Sequence, residues 1–252
     1  MRPFLLCVLP FVSHLAWAVP ISVITVLTSG PSSTQSTLNT TSSPSNTSST
    51  QTITVLPLGD SITFGIGSND LNSYRQFLQT RLADDGVDID YIGSVRSGIM
   101  TDNDNEGHSG ATIDQVSAFA DGILLQRPQV VTLLAGTNDV ALNRDLANAP
   151  NRLIQLVDKI ALTSPNTTIL VGSLTPLPFF NRQGAVDRFN AALQGLVLEK
   201  ASAGQSVVWV SMAAIVNADL ADGVHPNAVG YVKMGQAWAS GFLSAVQNGL
   251  IK

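Results

Sequence analysis

The chain has 252 residues, 44% of them hydrophobic and only 12% charged, with a formal net charge of -5 and a pI near 5.0. That balance excludes a basic surface for nucleic acid or anionic lipid, and the apolar content suffices for one sizeable core. Cys7 is the single cysteine, so no intrachain disulfide can form and stability must come from packing.

Taken in chain order, the first segments do not belong to a core. Residues 1–18, MRPFLLCVLPFVSHLAWA, combine Arg2, a short apolar stretch and small residues at Ala16 and Ala18, the layout of a secretory signal peptide. ISVITVL at 21–27 prolongs the apolar character, but Pro3, Pro10, His14 and Pro20 interrupt it, and a membrane-spanning helix needs about 20 mostly apolar residues in a row. Cleavage after Ala18 would remove Cys7, and a secreted, extracellular product is expected, with no membrane partner. Residues 19–51 read as a disordered linker. Its main stretch, TSGPSSTQSTLNTTSSPSNTSSTQT at 28–52, is too polar to offset the entropy of ordering and suits O-glycosylation. The N-glycosylation pattern Asn-x-Ser/Thr occurs at Asn39, Asn46 and Asn166.

From Thr52 the pattern alternates. Short β-branched runs appear at TITVLPL (52–58), VDIDYIGSV (87–95), PQVVTLLA (128–135), TTILVGS (167–173) and SVVWVS (206–211). Helical spacing links Tyr74, Phe77, Leu78 and Leu82; Ile113, Val116, Phe119 and Ile123; Leu153, Ile154, Val157 and Ile160; Val186, Phe189, Leu193, Leu196 and Val197; and Val229, Val232, Trp238, Phe242 and Val246. Strands alternating with helices predict an α/β fold: a three-layer α/β/α domain over 52–252 with a parallel sheet covered on both faces. Right-handed crossovers restrict the topology, and a flavodoxin-like five-stranded order 2-1-3-4-5 is expected. The domain is expected to act as a monomer.

Open parallel sheets place ligand sites beyond the carboxyl ends of their strands. There the sequence puts Gly59, Asp60 and Ser61 after the first strand, His108 to Gly110 at the end of the loop after the second, Asn138 and Asp139 after the third, and Asp222 and His225 after the fifth. With the first and third strands adjacent, these clusters would meet on one edge. They are the parts that acyl transfer requires. A serine hydroxyl becomes a nucleophile when a neighbouring imidazole accepts its proton. Ser61 and His225 fill those roles, and Asp222 can bond the far ring nitrogen to fix the tautomer. The backbone N–H groups of Ser61 and Gly110 with the side-chain amide of Asn138 would form an oxyanion hole. Pro226 suits the first turn of a helix, which would set His225 near a helix amino end and keep it neutral at rest.

GDSIT (59–63), Gly110 of GHSG, GTND (136–139) and DGVHP (222–226) resemble the ordered blocks of the SGNH (GDSL-type) hydrolase superfamily. The longer strings LPLGDSITFGIGS, EGHSGATIDQ, GTNDV and DGVHPNAVGYVKM are similar to carbohydrate esterase family three, the acetyl xylan esterases. The resemblance implies a flavodoxin-like fold and a cofactor-independent serine esterase. It assigns Ser61 as nucleophile, His225 and Asp222 as its triad partners, and Gly110 and Asn138 as oxyanion-hole members. The implied substrate is an acetylated polysaccharide or oligosaccharide. A lipid or short-chain acyl-ester hydrolase of the same superfamily and a catalytically silent carbohydrate-binding module stand as alternatives.

Several residues invite other readings. A serine at position 61 also suits a helix cap, but the next helical pattern starts only near Asn72, past Gly65 and Gly67. Asp60 and Asp139 are expected to bond loop backbone. His108 is expected to be a loop hydrogen-bonder or substrate contact rather than a second base. DNDNEG at 102–107 imitates an EF-hand opening, but Ile113 stands where a bidentate glutamate is needed. No metal is expected.

Overall fold

The computed structural model describes residues 52–179 and 181–251. The predicted signal peptide, the linker, Asn39 and Asn46 lie outside the described residues. Among the described residues no helix is long and apolar enough to cross a membrane.

The sheet contains β1 (Ile53–Gly59), β2 (Ile89–Tyr91), β3 (Val95–Arg96), β4 (Asp104–Gly107), β5 (Val130–Leu134), β6 (Thr168–Gly172) and β7 (Val207–Val210). Its parallel succession β2-β1-β5-β6-β7 is the predicted 2-1-3-4-5. Every residue of β5 and β6 is buried, as strands covered on both faces must be.

The predicted second strand is shorter than its sequence pattern. Only Ile89–Tyr91 pairs with β1, over Ile53 to Val55. The carboxyl half of β1 is joined instead by β4, at Leu58 and Gly59, while β3 pairs antiparallel with β4. Pro57 explains the handover. The carbonyls of Val55 and Gly59 accept from Ile92 and His108, both at about 3 Å on this side of the strand. Pro57 lies between them and faces the same side with no N–H to give, so the gap between β2 and β4 falls where a ladder bond cannot form. Acidic residues of DNDNEG serve as strand and loop partners here. Asp102 accepts from the Tyr91 N–H at 2.8 Å, and Glu106 accepts from the Ser94 N–H and hydroxyl, each at 2.8 Å.

One layer comprises α2 (Ser73–Asp84) and α7 (Ala228–Gln247), and the other α3 (Ile113–Ile123), α5 (Ala149–Thr163) and α6 (Gln183–Ser202). Alternation sorts the strand side chains between them. Leu56, Val131, Ile169 and Val207 face the second layer, whereas Val55, Val130, Leu170 and Val210 face the first. The predicted apolar stripe of α7 is corrected in part. Trp238 and Phe242 are core, but Val229 and Val246 are exposed at 56% and 38%. The buried face is made by Tyr231, Met234, Ala239 and Ala245, residues whose small or amphipathic character masked the period. Phe119 likewise leaves the predicted stripe of α3 and is 43% exposed.

Arg75 is fully buried in α2, with no carboxylate partner among the described residues. Its guanidinium donates to the carbonyls of Leu71, Ser97 and Asn103 at 3.0, 2.8 and 3.0 Å and to the Ser97 hydroxyl at 2.8 Å. Burial lowers its affinity for the proton, and the fixed carbonyl dipoles hold the charge in place. Replacing it by methionine keeps the aliphatic volume and orphans those acceptors. Urea denaturation of Arg75→Met should show a loss of at least about 3 kcal/mol, and an unchanged midpoint would contradict the clamp.

Candidate active site

β1 ends in Gly59, where a Cβ would stand 2.4 Å from the Leu134 carbonyl oxygen and 2.5 Å from Thr63 Oγ1. No larger residue fits between β1, β5 and the turn that follows. That turn is a short helix, α1 (Ser61–Phe64), absent from the sequence pattern because four residues show no period. Asp60 caps it, its Oδ1 accepting from the Ile62 N–H at 2.9 Å. The capping task thus falls to Asp60, and Ser61 at the first helical position has its hydroxyl free for another partner.

That partner is His225. Ser61 Oγ lies 2.9 Å from His225 Nε2, and His225 Nδ1 lies 2.7 Å from Asp222 Oδ2. Asp222 Oδ1 also accepts the backbone N–H groups of His225 and Val224 at 2.8 and 3.0 Å. Partial desolvation raises the Asp222 pKa, but these bonds from His225 and Val224 outweigh it and hold the carboxyl below its usual range. The carboxylate is therefore ionised and the imidazole is fixed with Nδ1 as the donor.

The turn carrying both residues is tied down on several sides. The Tyr231 hydroxyl lies 2.6 Å from the Ile66 carbonyl and 3.1 Å from that of Ile62, joining α7 to the Ser61 segment. Gly67, at φ +94°, leaves room for His225: a Cβ there would lie 2.8 Å from His225 Cβ. The Asp219 carbonyl accepts from the Asn227 N–H at 2.8 Å, and its carboxylate accepts from Lys233 at 2.6 Å. Asn227 caps α7, accepting from the Gly230 N–H at 3.1 Å. Pro226 hence precedes the helix rather than opening its first turn, and the expected dipole effect on His225 loses its premise.

The three expected donors gather on the same edge. Ser61 opens α1, so its N–H has no acceptor within the helix. Gly110 sits in a turn closed by the Ala111 N–H on the His108 carbonyl at 3.0 Å, and its own N–H has no partner among the described residues. Asn138, in α4 (Thr137–Ala141), donates from Nδ2 to the Ala111 carbonyl at 2.9 Å and lies 3.5 Å from Asp60 Oδ2. One amide hydrogen thus locates the peptide next to Gly110, and the second faces the Asp60–Ser61 turn.

Asp139 is structural, as expected. It is buried, accepts from the Ile113 N–H at 2.9 Å and pairs with Arg152 at 2.8 Å. His108 is no second base on Ser61. Its Nε2 lies 2.7 Å from buried Glu106, and its ring stacks on Phe119 with centroids 3.7 Å apart. Together with Phe64, Val95 and Gly110 it bounds a cavity of about 320 Å³. Phe119 matches the helical core period, so nothing in the sequence marks it as part of this wall. Asn166 is exposed in the turn before β6, away from these residues in the chain.

Residues 58–233 match the GDSL-like Lipase/Acylhydrolase family. A multidomain esterase of Ruminococcus flavefaciens is 30% identical over 77% of this chain, which spans 29% of that relative's length. The structure of a family 3 carbohydrate esterase of Clostridium thermocellum superposes with a TM-score of 0.72 at 36% identity, covering 80% of this chain and 100% of that one. A family 3 carbohydrate esterase from Talaromyces cellulolyticus shares the fold with a TM-score of 0.65 at 22% identity, over 78% of this chain and 99% of that one.

Full burial raises the Asp60 pKa from 3.8 to about 6, more than the Ile62 N–H lowers it. The folded value lies above the unfolded one, so this stabilising contribution is complete below pH 3.8 and lost as pH rises through about 6. In Asp60→Asn the cap is retained and the titration removed. The stability of the variant relative to the parent should therefore grow by up to about 3 kcal/mol between pH 4 and 7. Denaturation at both pH values reads the difference, and a gap independent of pH would contradict it.

Proposed function

Because the chain belongs to the GDSL-like lipase/acylhydrolase family, and is thus a carboxylic ester hydrolase, we propose that it is a secreted serine esterase that deacetylates xylan or a related cell-wall carbohydrate. The observation that carries the reading is the unbroken chain of contacts from Ser61 Oγ through His225 to Asp222, at 2.9 and 2.7 Å.

In the proposed first half-reaction, Ser61 Oγ attacks the acetyl carbonyl carbon while its proton passes to His225 Nε2. Asp222, bonded to Nδ1, stabilises the resulting imidazolium. The carbonyl oxygen becomes an oxyanion received by the Ser61 and Gly110 N–H groups and Asn138 Nδ2. Collapse breaks the bond to the sugar oxygen, which takes the proton from Nε2 and leaves as the free hydroxyl. Water then repeats the sequence on the acetyl-serine, releasing acetate and restoring Ser61. Protein donors supply each proton and charge contact, so the proposed reaction needs no cofactor.

The carbohydrate part of the reading is supported by the family 3 carbohydrate esterase at 36% identity. The apolar wall of Phe64, Val95 and Phe119 beside Gly110 favours a second reading, hydrolysis of a lipid or other acyl ester. Rates on p-nitrophenyl esters of increasing chain length, set beside acetylated xylan, separate the two: preference for long chains would overturn the polysaccharide assignment.

Acetate release from acetylated xylan should fall by about 10³-fold or more in Ser61→Ala with folding retained. Asn138→Ala should lower kcat by about 100- to 1000-fold. Full turnover in Ser61→Ala would remove Ser61 as the nucleophile, whereas a parent that binds acetylated xylan without releasing acetate would favour the binding module.

A further inference from the structure

The carboxyl ends of β6 and β7 carry a second polar hollow on the same edge of the sheet as the triad. Between α6 and β7 lies a cavity of about 520 Å³ bounded by Trp209, Gln194 and Ser211. A neighbouring cavity of about 650 Å³, reaching Asn217 and Ala218, shares Pro176, Gln183 and Ile215 with it. The two are therefore one groove. At its far end Asn217 and Ala218 immediately precede Asp219, which anchors the Asp222 turn, and Phe179, next in sequence to the lining residue Pro178, donates its N–H to the Gly223 carbonyl at 3.3 Å.

The lining specifies the chemistry of an occupant. Among the described residues no Lys or Arg borders either cavity and Asp187 is the single charged one, so the lining carries no cation to pair with a phosphate or other anion. Trp209 stands on the edge strand, partly exposed, and its indole N–H has no partner among the described residues. Gln194 is exposed and its amide is likewise unpartnered among them. An aromatic face beside free amide donors and acceptors suits a ring with apolar C–H faces and an equatorial belt of hydroxyls. Each cavity lies within the range of about 300–1,000 Å³ usual for small-molecule sites, and their continuity suits several such rings in succession.

We propose that this groove binds an unbranched chain of neutral sugar units that extends from the ester held at Ser61 toward Trp209. The inference rests on the carbohydrate reading above. It makes Trp209 and Gln194 determinants of affinity for long substrates, acting on KM while the chemistry stays with Ser61 and His225.

The test uses the whole chain and two probes, unacetylated xylohexaose and p-nitrophenyl acetate. Titration calorimetry and tryptophan fluorescence should detect xylohexaose binding to Ser61→Ala. Adding Gln194→Ala or Trp209→Ala should weaken that binding by about fivefold or more. In the active protein the same changes should raise KM for acetylated xylo-oligosaccharides by a similar factor, beyond any effect on p-nitrophenyl acetate. Gln194 is exposed, so its variant keeps the test open should loss of Trp209 disturb β7. A parent that deacetylates xylan with KM insensitive to both substitutions overturns the groove and leaves the esterase reading intact. A parent inactive on acetylated xylan whose xylohexaose binding still depends on Gln194 and Trp209 supports the groove and removes the substrate assignment.

Discussion

The site depends on one contact closed across 164 residues of chain, the 2.9 Å approach of Ser61 to His225. Neither side chain fixes it alone. Asp60 turns the chain out of β1 into α1 and presents the Ser61 hydroxyl, while Tyr231, bonded to the carbonyls around α1, fastens α7 and its preceding turn to the same place. The Asp219 network then sets the height of the turn, and Asp222 sets the orientation of the ring. A displacement of about 1 Å in such a constellation is costly to catalysis, which is why so many backbone groups are committed to holding it.

The donors opposite that contact are also interlocked. Asn138 spends one hydrogen on the Ala111 carbonyl, tying the Gly110 turn to α4. The His108 N–H on the Gly59 carbonyl ties the same turn to β1. The three proposed oxyanion donors therefore belong to segments bonded directly to one another, so their spacing exists before substrate arrives. Pro57 contributes from a distance. By ending the β2 ladder it lets β4 take the adjoining edge and deliver residues 107–110 beside Ser61.

The strand order, the two covered faces and the meeting of Ser61, His225 and Asp222 on one edge were legible in the sequence, because β-branched runs, helical spacing and the polar residues that follow each strand carry the signal directly. What escaped was decided by tertiary partners. The four-residue α1 is too short to show a period, and its cap is an acid whose role depends on a buried neighbour. The segment 96–107 reads as loop because β3 is only two residues long and β4 is short and polar. Arg75 sits inside an apolar helical pattern and nothing nearby in sequence announces its carbonyl cage. Phe119 and Val229 fit a core period, yet the first serves as the face on which His108 stacks and the second meets solvent.

The central claim is that the hydroxyl delivered to His225 is the atom that carries the acyl group. Treating the protein with a fluorophosphonate and sequencing its peptides by mass spectrometry addresses this directly. One stoichiometric adduct is expected, on Ser61, formed in step with loss of activity. Complete inactivation with Ser61 unmodified and the adduct on another residue would contradict it.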